Sequence, residues 1–223
     1  MSRLNEQLID AASVGNLEEL RRLVQQGADL HAEDEGALRL AARNGHLEVV
    51  KFLVEKGADI HAEDDLALRW AAEEGHIDVV KCLVEQGADI HADNDRALLY
   101  AADEGHIDVV KYLVEQGADI HANNDYALQM AARRGRLEVV RFLVEKGADI
   151  HADNDYALQM AARRGQLDVV QFLFEKGSPI EVAKEHGTEA VEEFCKAYEL
   201  RKMLGNKLQP NPPTKTKPNK LKI

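Results

Sequence analysis

Histidine is the residue of this chain whose number and spacing most suggest chemistry, with nine copies in 223 residues. Five of them recur every 30 residues, at His31, His61, His91, His121 and His151. Zinc ligands bond at about 2 Å, so their nitrogens must lie within roughly 4 Å of one another. Histidines at equal places in successive layers of packed helices would stand on the order of 10 Å apart. We therefore predict that these histidines share no metal ion, and we predict no cofactor.

Other reactive side chains also occupy repeated positions. His46, His76 and His106 each follow a glycine and are predicted to hydrogen-bond turn backbone. Carboxylates precede a base by three residues at Glu48–Lys51, Asp78–Lys81, Asp108–Lys111 and Glu138–Arg141, which predicts exposed ion pairs of a few tenths of a kcal/mol each. Cys82 stands where the other copies carry Phe52, Tyr112 and Phe142, so we interpret it as a packing residue. Without a nucleophile motif or phosphate loop, we predict neither catalysis nor a small-molecule substrate.

The charge balance limits the classes of partner. Lys and Arg total 28 against 40 Asp and Glu, a formal charge of −12, so most of the surface should repel nucleic acid and anionic membranes. The two cysteines give no disulfide framework, and no apolar run reaches the length of a signal peptide or membrane span. We therefore expect an intracellular, cytoplasmic protein, with a nuclear location left open.

The elements that position these residues form a 30-residue repeat, marked by glycines at 15, 45, 75, 105, 135 and 165 and again at 27, 57, 87, 117, 147 and 177. Residues 124–135 and 154–165 are identical. Each unit predicts two short helices and a turn. Both helices are too short to persist alone in water, so neighbouring units must stabilise them in a linear stack.

The third unit illustrates the prediction for each helix. Asp65, like Asp95, Asp125 and Asp155, stands where an N-cap belongs and is predicted to bond the first-turn amides of the first helix. The apolar face of that helix is predicted at Ala67, Leu68, Ala71 and Ala72. The second helix is predicted to carry Ile77, Val80, Leu83 and Val84 on one face and to end at Gly87.

The segment GHIDVVKCLVEQGADIHA at residues 75–92 resembles the ankyrin repeat, with its Gly-His start, aliphatic helix and Gly-Ala-Asp turn. The resemblance recurs in register over about residues 4–204 and implies an all-α ankyrin-repeat solenoid. Ankyrin units usually have 33 residues and a Thr-Pro-Leu-His start, whereas these have 30 and read Leu66-Ala67-Leu68-Arg69. We therefore expect a shorter or reshaped projecting hairpin. The 30-residue variant is similar to the ankyrin families of giant amoeba-infecting viruses, which would imply a host partner.

We divide residues 1–204 into about seven units: 4–33, 34–63, 64–93, 94–123, 124–153, 154–177 and a C-terminal cap at 178–204. The first unit, with polar Asn5 and Glu6, is predicted to be the N-terminal cap. In the last, Thr188 is predicted to cap a helix whose apolar face is Val191, Phe194, Cys195 and Tyr198. Residues 205–223 carry five lysines and no acid and are predicted to be a disordered Lys/Pro-rich tail, which leaves −17 on the rest of the chain. A docking or nuclear-import role for this tail stays open.

The ankyrin resemblance implies a non-catalytic module that binds a protein partner through its concave groove and turn tips. It places the two residues after each Ala-Ala pair in that groove: Arg43 and Asn44, Glu73 and Glu74, Asp103 and Glu104, Arg133 and Arg134, and Arg163 and Arg164. The groove should therefore be acidic in the middle and basic in the fifth and sixth units, where Tyr126 follows Asp125 and Tyr156 follows Asp155. Arg and Tyr are typical of interface hot spots, which favours a partner with an acidic segment.

Alternatives remain beside this interpretation. The arginines could be a solvated face of a monomer, or the basic units and tail could bind nucleic acid or an anionic surface, which the net charge disfavours. The resemblance also implies that His61, His91, His121 and His151, which stand where many ankyrin repeats carry asparagine, could be hydroxylated instead of only hydrogen-bonding in the turn. Trp70, Tyr100, Met130 and Met160 follow the core period and are predicted to be buried.

Overall fold

A computed structural model describes residues 2–208, which form fourteen helices joined by short turns. The odd-numbered helices make an inner layer: α1 (Arg3–Ser13), α3 (Ala32–Arg43), α5 (Ala62–Glu73), α7 (Ala92–Glu104), α9 (Ala122–Arg134), α11 (Ala152–Arg163) and α13 (Ile180–His186). The even-numbered helices make an outer layer: α2 (Leu17–Gln25), α4 (Leu47–Glu55), α6 (Ile77–Glu85), α8 (Ile107–Glu115), α10 (Leu137–Glu145), α12 (Leu167–Lys176) and α14 (Glu189–Leu208). Each inner helix packs on the inner helices of adjacent units. The predicted all-α solenoid of seven helix pairs is confirmed.

The core runs through the stack between the two layers. The predicted inner-helix face is buried, with at most 2% exposure, at Ala67, Leu68, Ala71 and Ala72. All four residues of the predicted outer-helix face contact the core: Val80 and Leu83 are buried, and Ile77 and Val84 are half-buried against it. Val79, which the prediction did not include, is buried as well. The outer helix contacts its own inner helix and the outer helices of both neighbouring units. Its buried face is therefore centred on Val79 and Val80.

The turn that enters each inner helix of units two to six is left-handed over three successive residues: 33–35, 63–65, 93–95, 123–125 and 153–155. Their φ angles lie between 50° and 63°, a region that costs most side chains roughly 1–2 kcal/mol per residue. Asp and Asn adopt it more readily than other non-glycine residues, and they fill most of these positions. This turn takes the place of the projecting hairpin, and it explains why the units are rich in Asp and Asn.

The prediction that Asp65 and its equivalents are N-caps is wrong. An N-cap has extended backbone, whereas Asp65 has φ 54° and ψ 39°. Its Oδ1 instead accepts a hydrogen bond from the backbone N–H of Asp89, in the following turn, at 2.8 Å. Asp95 and Asp125 make the same bond 24 residues onward, at 2.8 and 2.9 Å. These carboxylates therefore join one unit to the next.

The first and last units of the described stack differ from the units between them. In the first unit Asn5 Oδ1 accepts the bond from the Asp29 amide at 3.0 Å, the role that aspartate has later. At the other end Val191 and Cys195 are fully buried, and Phe194 and Tyr198 pack on Phe174. The predicted apolar face of the last helix is confirmed, and this helix continues to Leu208.

Residues 209–223, most of the predicted disordered tail, lie outside the described residues. Within residues 2–208, every helix is too short or too polar to cross a membrane.

Candidate functional site

The histidines that recur every 30 residues are hydrogen-bonded within their own turns. Nδ1 of each lies 2.8–3.1 Å from a carboxylate oxygen of the aspartate four residues later, at His61, His91, His121 and His151. Their side chains are about half exposed. The turn bonding that the sequence predicted is confirmed, while hydroxylation stays a prediction. Across residues 2–208, no cluster of three or more His, Cys, Asp or Glu is arranged to hold a metal ion.

The glycine-histidine pairs connect successive units. Nε2–H of His46 donates to the carbonyl of Ser13 at 3.0 Å, and that of His106 donates to the carbonyl of Glu73 at 2.9 Å. The predicted bonding to turn backbone is confirmed at these two positions. Arg136 takes the same place in the fifth unit, where its Nε donates to the carbonyl of Asp103 at 3.2 Å.

The charged residues after the Ala-Ala pairs form one row along the ends of the inner helices, and neighbouring units pair their charges. Arg43 Nε lies 3.3 Å from Glu74 Oε1. Asp103 accepts hydrogen bonds from Arg133 at 3.0 Å and from Arg134 at 2.9 Å. Burial raises the pKa of the Asp103 carboxyl, but hydrogen bonds from Arg134 and Arg133 outweigh it and hold that pKa below its usual value. Much of the predicted acidic middle is therefore neutralised within the chain.

The arginines of the sixth unit are left with fewer partners. Arg163 and Arg164 are exposed, and among the ion pairs of the described range neither has a carboxylate partner. Nη2 of Arg163 lies 3.4 Å from Nδ1 of His186. Arg164 lines a cavity of about 330 Å³ together with Arg133, Arg134 and Gln166. Within the described residues the Nε–H of Arg133 is buried without an acceptor. We call this cavity, lined by Arg133, Arg134, Arg164 and Gln166, the arginine cavity.

The two tyrosines lie apart from the arginine cavity. Tyr126 begins the right-handed part of α9 and precedes Arg133 by seven residues, which is about 10 Å along a helix. It is exposed, whereas Tyr156 is half-buried. Tyr126 lines a second, polar cavity with Asn123, Asn124 and Gln129. The predicted combination of arginines flanked by tyrosines is therefore divided between opposite ends of the same helices.

Trp70 lies in the groove, which the sequence interpretation missed. Of the four residues predicted to be buried, Met130 is buried at 6% exposure, and Trp70, Tyr100 and Met160 are only half-buried. The guanidinium carbons of Arg39 and Arg43 lie 5.8 and 5.3 Å from the centre of the Trp70 ring. The helical period placed Trp70 on the inner helix but could not say which side faces the groove. The signal that could have found it is Gly36, because the later units carry a larger residue at that position.

The predicted outer-helix ion pairs form in one place. Lys51 Nζ lies 3.0 Å from Glu48 Oε1. Lys81 and Arg141 instead lie over aromatic rings of the following unit, 5.8 Å from the centre of Tyr112 and 4.6 Å from that of Phe172. The prediction is wrong for these two bases, because a desolvated ring competes with an exposed carboxylate of small attraction.

Both cysteines are packing residues. Burial raises the pKa of the Cys82 thiol, and it raises the pKa of the Cys195 thiol as well. A raised pKa keeps a thiol protonated and unreactive.

Comparison with known proteins agrees with the repeated geometry. The family model described as ankyrin repeats (3 copies) matches residues 5–64, 61–124 and 98–186. A search of curated proteins gave no match. The narrower resemblance to viral short-repeat families stays a prediction.

Proposed function

Because the chain belongs to the ankyrin-repeat family, whose repeats are generally protein-protein interaction modules, we propose that its groove binds a partner protein through an acidic segment of that partner. The arginine cavity carries the proposal. Three guanidinium groups line it, those of Arg133, Arg134 and Arg164, and among the described residues Asp103 and Glu104 pair with only the first two of them. Binding needs no catalytic group, and the module acts by holding its partner.

The chemistry of the cavity favours carboxylates. A guanidinium group binds a carboxylate with two parallel hydrogen bonds, and the buried Nε–H of Arg133 is a donor without an acceptor. Asp103 holds Arg133 and Arg134 in place, so these side chains lose little freedom when a ligand binds. Arg164 has no such anchor in the part of the chain that the structure describes, and it supplies the charge that remains to be neutralised.

The surroundings limit the length of the anionic segment. Residues 1–204 carry a formal charge of −17, so a long polyanion would be repelled beyond the basic units. A short acidic peptide segment fits this distribution, and a nucleic acid fits it less well.

The test uses a fluorescein-labelled decapeptide of alternating Glu and Gly, its Gln counterpart and a labelled ten-nucleotide single-stranded DNA. We expect fluorescence anisotropy to show binding of the Glu peptide only, and the double variant Arg163→Glu with Arg164→Glu to weaken it at least tenfold. Lys111→Glu, an exposed charge reversal on α8, is the control for a charge reversal outside the cavity and should bind as the wild type does. Undiminished binding by the double variant would refute the proposal, and tighter, steeply salt-dependent binding of the DNA would favour a nucleic-acid ligand.

A further inference from the structure

A third cavity lies at the N-terminal end of the groove, between the inner helices of the first three units. Its volume is about 330 Å³, at the lower end of the range for ligand pockets. Ile9, Leu40 and Trp70 give it apolar walls. We call it the Trp70 cavity. It has room for one large side chain of a partner.

The cavity exists because the second unit has a glycine at a position where the later units have side chains. Gly36 corresponds to Leu66, Arg96, Tyr126 and Tyr156. Its backbone is not in the left-handed region, so conformation does not require glycine there. A Cβ at Gly36 would lie 3.1 Å from Cδ1 of Ile9, in the wall of the cavity. The glycine at position 36 therefore leaves space in the cavity, and its backbone conformation would accept a side chain.

Arg39 has a hydrogen-bond donor to spare at this cavity. Its Nη2 donates to the carbonyl of Glu33 at 2.6 Å, while its Nε–H is buried with no acceptor. In the next unit the equivalent Arg69 donates from Nε to the carbonyl of Asp64 at 3.0 Å and forms an ion pair with Asp93 at 3.1 Å. The comparison within the chain shows that Arg39 is less satisfied than its counterpart. A carbonyl of a bound peptide could draw the guanidinium into the cavity and satisfy that donor.

The rim of the cavity is acidic. Glu6, Asp10 and Glu33 line it and are exposed, and none of the three takes part in an ion pair within the described chain. Arg39 is the single base among the lining residues. The rim is thus the electrostatic opposite of the arginine cavity at the other end of the groove.

We propose that the Trp70 cavity binds an apolar side chain of a partner segment whose neighbouring residues are lysine or arginine. The side chain packs between Ile9, Leu40 and the indole, and the flanking cations face the three rim carboxylates. The site is independent of the acidic-segment site, because the two lie in different units and select opposite charges.

Trp70 is the one tryptophan of the chain, so its fluorescence reports on the cavity without a label. The probes are three nonapeptides of Gly and Lys, or Gly and Glu, around a central residue: Leu with Lys flanks, Leu with Glu flanks, and Gly with Lys flanks. We expect a saturable change of Trp70 emission with the first peptide on the full chain, up to 1 mM. The other two should bind at least tenfold more weakly. Equal responses to both Leu peptides, or no saturable response to the first, would overturn the proposal.

Gly36→Leu separates binding from folding, since it adds the side chain that Leu66 supplies in the next unit. The added Cβ would lie 3.1 Å from Cδ1 of Ile9 and 3.2 Å from Cβ of Glu33, which requires a small shift, while removing a helical glycine favours the fold. The melting temperature should therefore stay close to that of the wild type. Binding of the Lys-flanked Leu peptide should weaken at least tenfold. Arg96→Leu, which places leucine at the equivalent position of the fourth unit, is the control for the new side chain and should bind within twofold of wild type. Wild-type binding by Gly36→Leu would refute the site.

The two proposals can fail separately. The Arg163→Glu and Arg164→Glu variant should keep its response to the Lys-flanked peptide, and Gly36→Leu should keep its binding of the Glu decapeptide. Loss of both responses in either variant would contradict the independence of the two cavities.

Discussion

Asp95→Ala tests whether the repeated aspartates join units or cap helices. Asp95 is 7% exposed, and its Oδ1 accepts from the Asp119 backbone N–H at 2.8 Å and contacts His91 Nδ1 at 3.0 Å. The sixth unit provides a matched control in Asp155. It contacts His151 Nδ1 at 2.8 Å, but the residue 24 positions onward is Pro179, which has no N–H.

The difference between the two variants isolates one hydrogen bond. Both lose the histidine contact, and both place alanine in a left-handed position, since φ is 57° at Asp95 and 59° at Asp155. Only Asp95→Ala also frees an inter-unit amide. A hydrogen bond to a charged acceptor contributes about 1.5–3 kcal/mol, and the exposure of Asp119 favours the lower part of that range, about 1.5–2 kcal/mol.

Thermal denaturation followed by far-ultraviolet circular dichroism measures the difference. For a chain of this size, about 1.5–2 kcal/mol corresponds to a melting temperature roughly 3–8 °C lower for Asp95→Ala than for Asp155→Ala. Asp125→Ala controls for position, because it lies next to the sixth unit yet has the inter-unit bond, at 2.9 Å. It should behave like Asp95→Ala. If Asp155→Ala lost as much stability as the other two, the aspartates would be acting within their own units and the reasoning would be refuted.

Three further predictions concern the turns. Gly45→Ala should be about 1–3 kcal/mol less stable than Gly57→Ala in urea unfolding. Both glycines have positive φ, but a Cβ at Gly45 would lie 2.7 Å from the His76 ring of the next unit, whereas a Cβ at Gly57 would meet no atom within 4 Å. Equal losses of stability in the two variants would contradict a role for this contact. Asn124→Val should cost about 1–2 kcal/mol by the same assay and Asn124→Gly should not destabilise, because φ there is 60°; a harmless valine would argue against the left-handed turn. The hydrogen bond and charge of Glu35 raise the pKa of His31, so their stabilisation is complete below about pH 6.5 and is lost as the pH rises through that raised pKa. The melting-temperature gap between wild type and His31→Ala should therefore be larger at pH 5.5 than at pH 9, and a gap that widens with pH would reverse the sign.

The repeat itself could be predicted because the same residue types recur every 30 positions. Glycines at a fixed period and helices too short to stand alone require stacking, and the buried face of Ala67, Leu68 and Ala71 follows from helical spacing. The prediction that the repeated histidines share no metal ion also rests on the period alone, because layers packed on the order of 10 Å apart would hold the rings too far apart for one ion. The Asp-rich and Asn-rich turns were visible too, although their left-handed backbone was interpreted as an N-cap.

Tertiary structure alone decided which of the repeated charged residues have a hydrogen-bond or ion-pair partner in the next unit. Spacing along one helix cannot show that Asp103 is already bonded to Arg133 and Arg134, because those partners come from the next unit. For the same reason it could not show that Arg164 has no carboxylate partner within residues 2–208, or that the glycine at position 36 opens a cavity beside Trp70. The sequence by itself determined the stack, since its period acts through local propensity and burial. The sites depended on contacts between units about 30 residues apart, where small changes in an otherwise constant repeat leave charge or space unfilled.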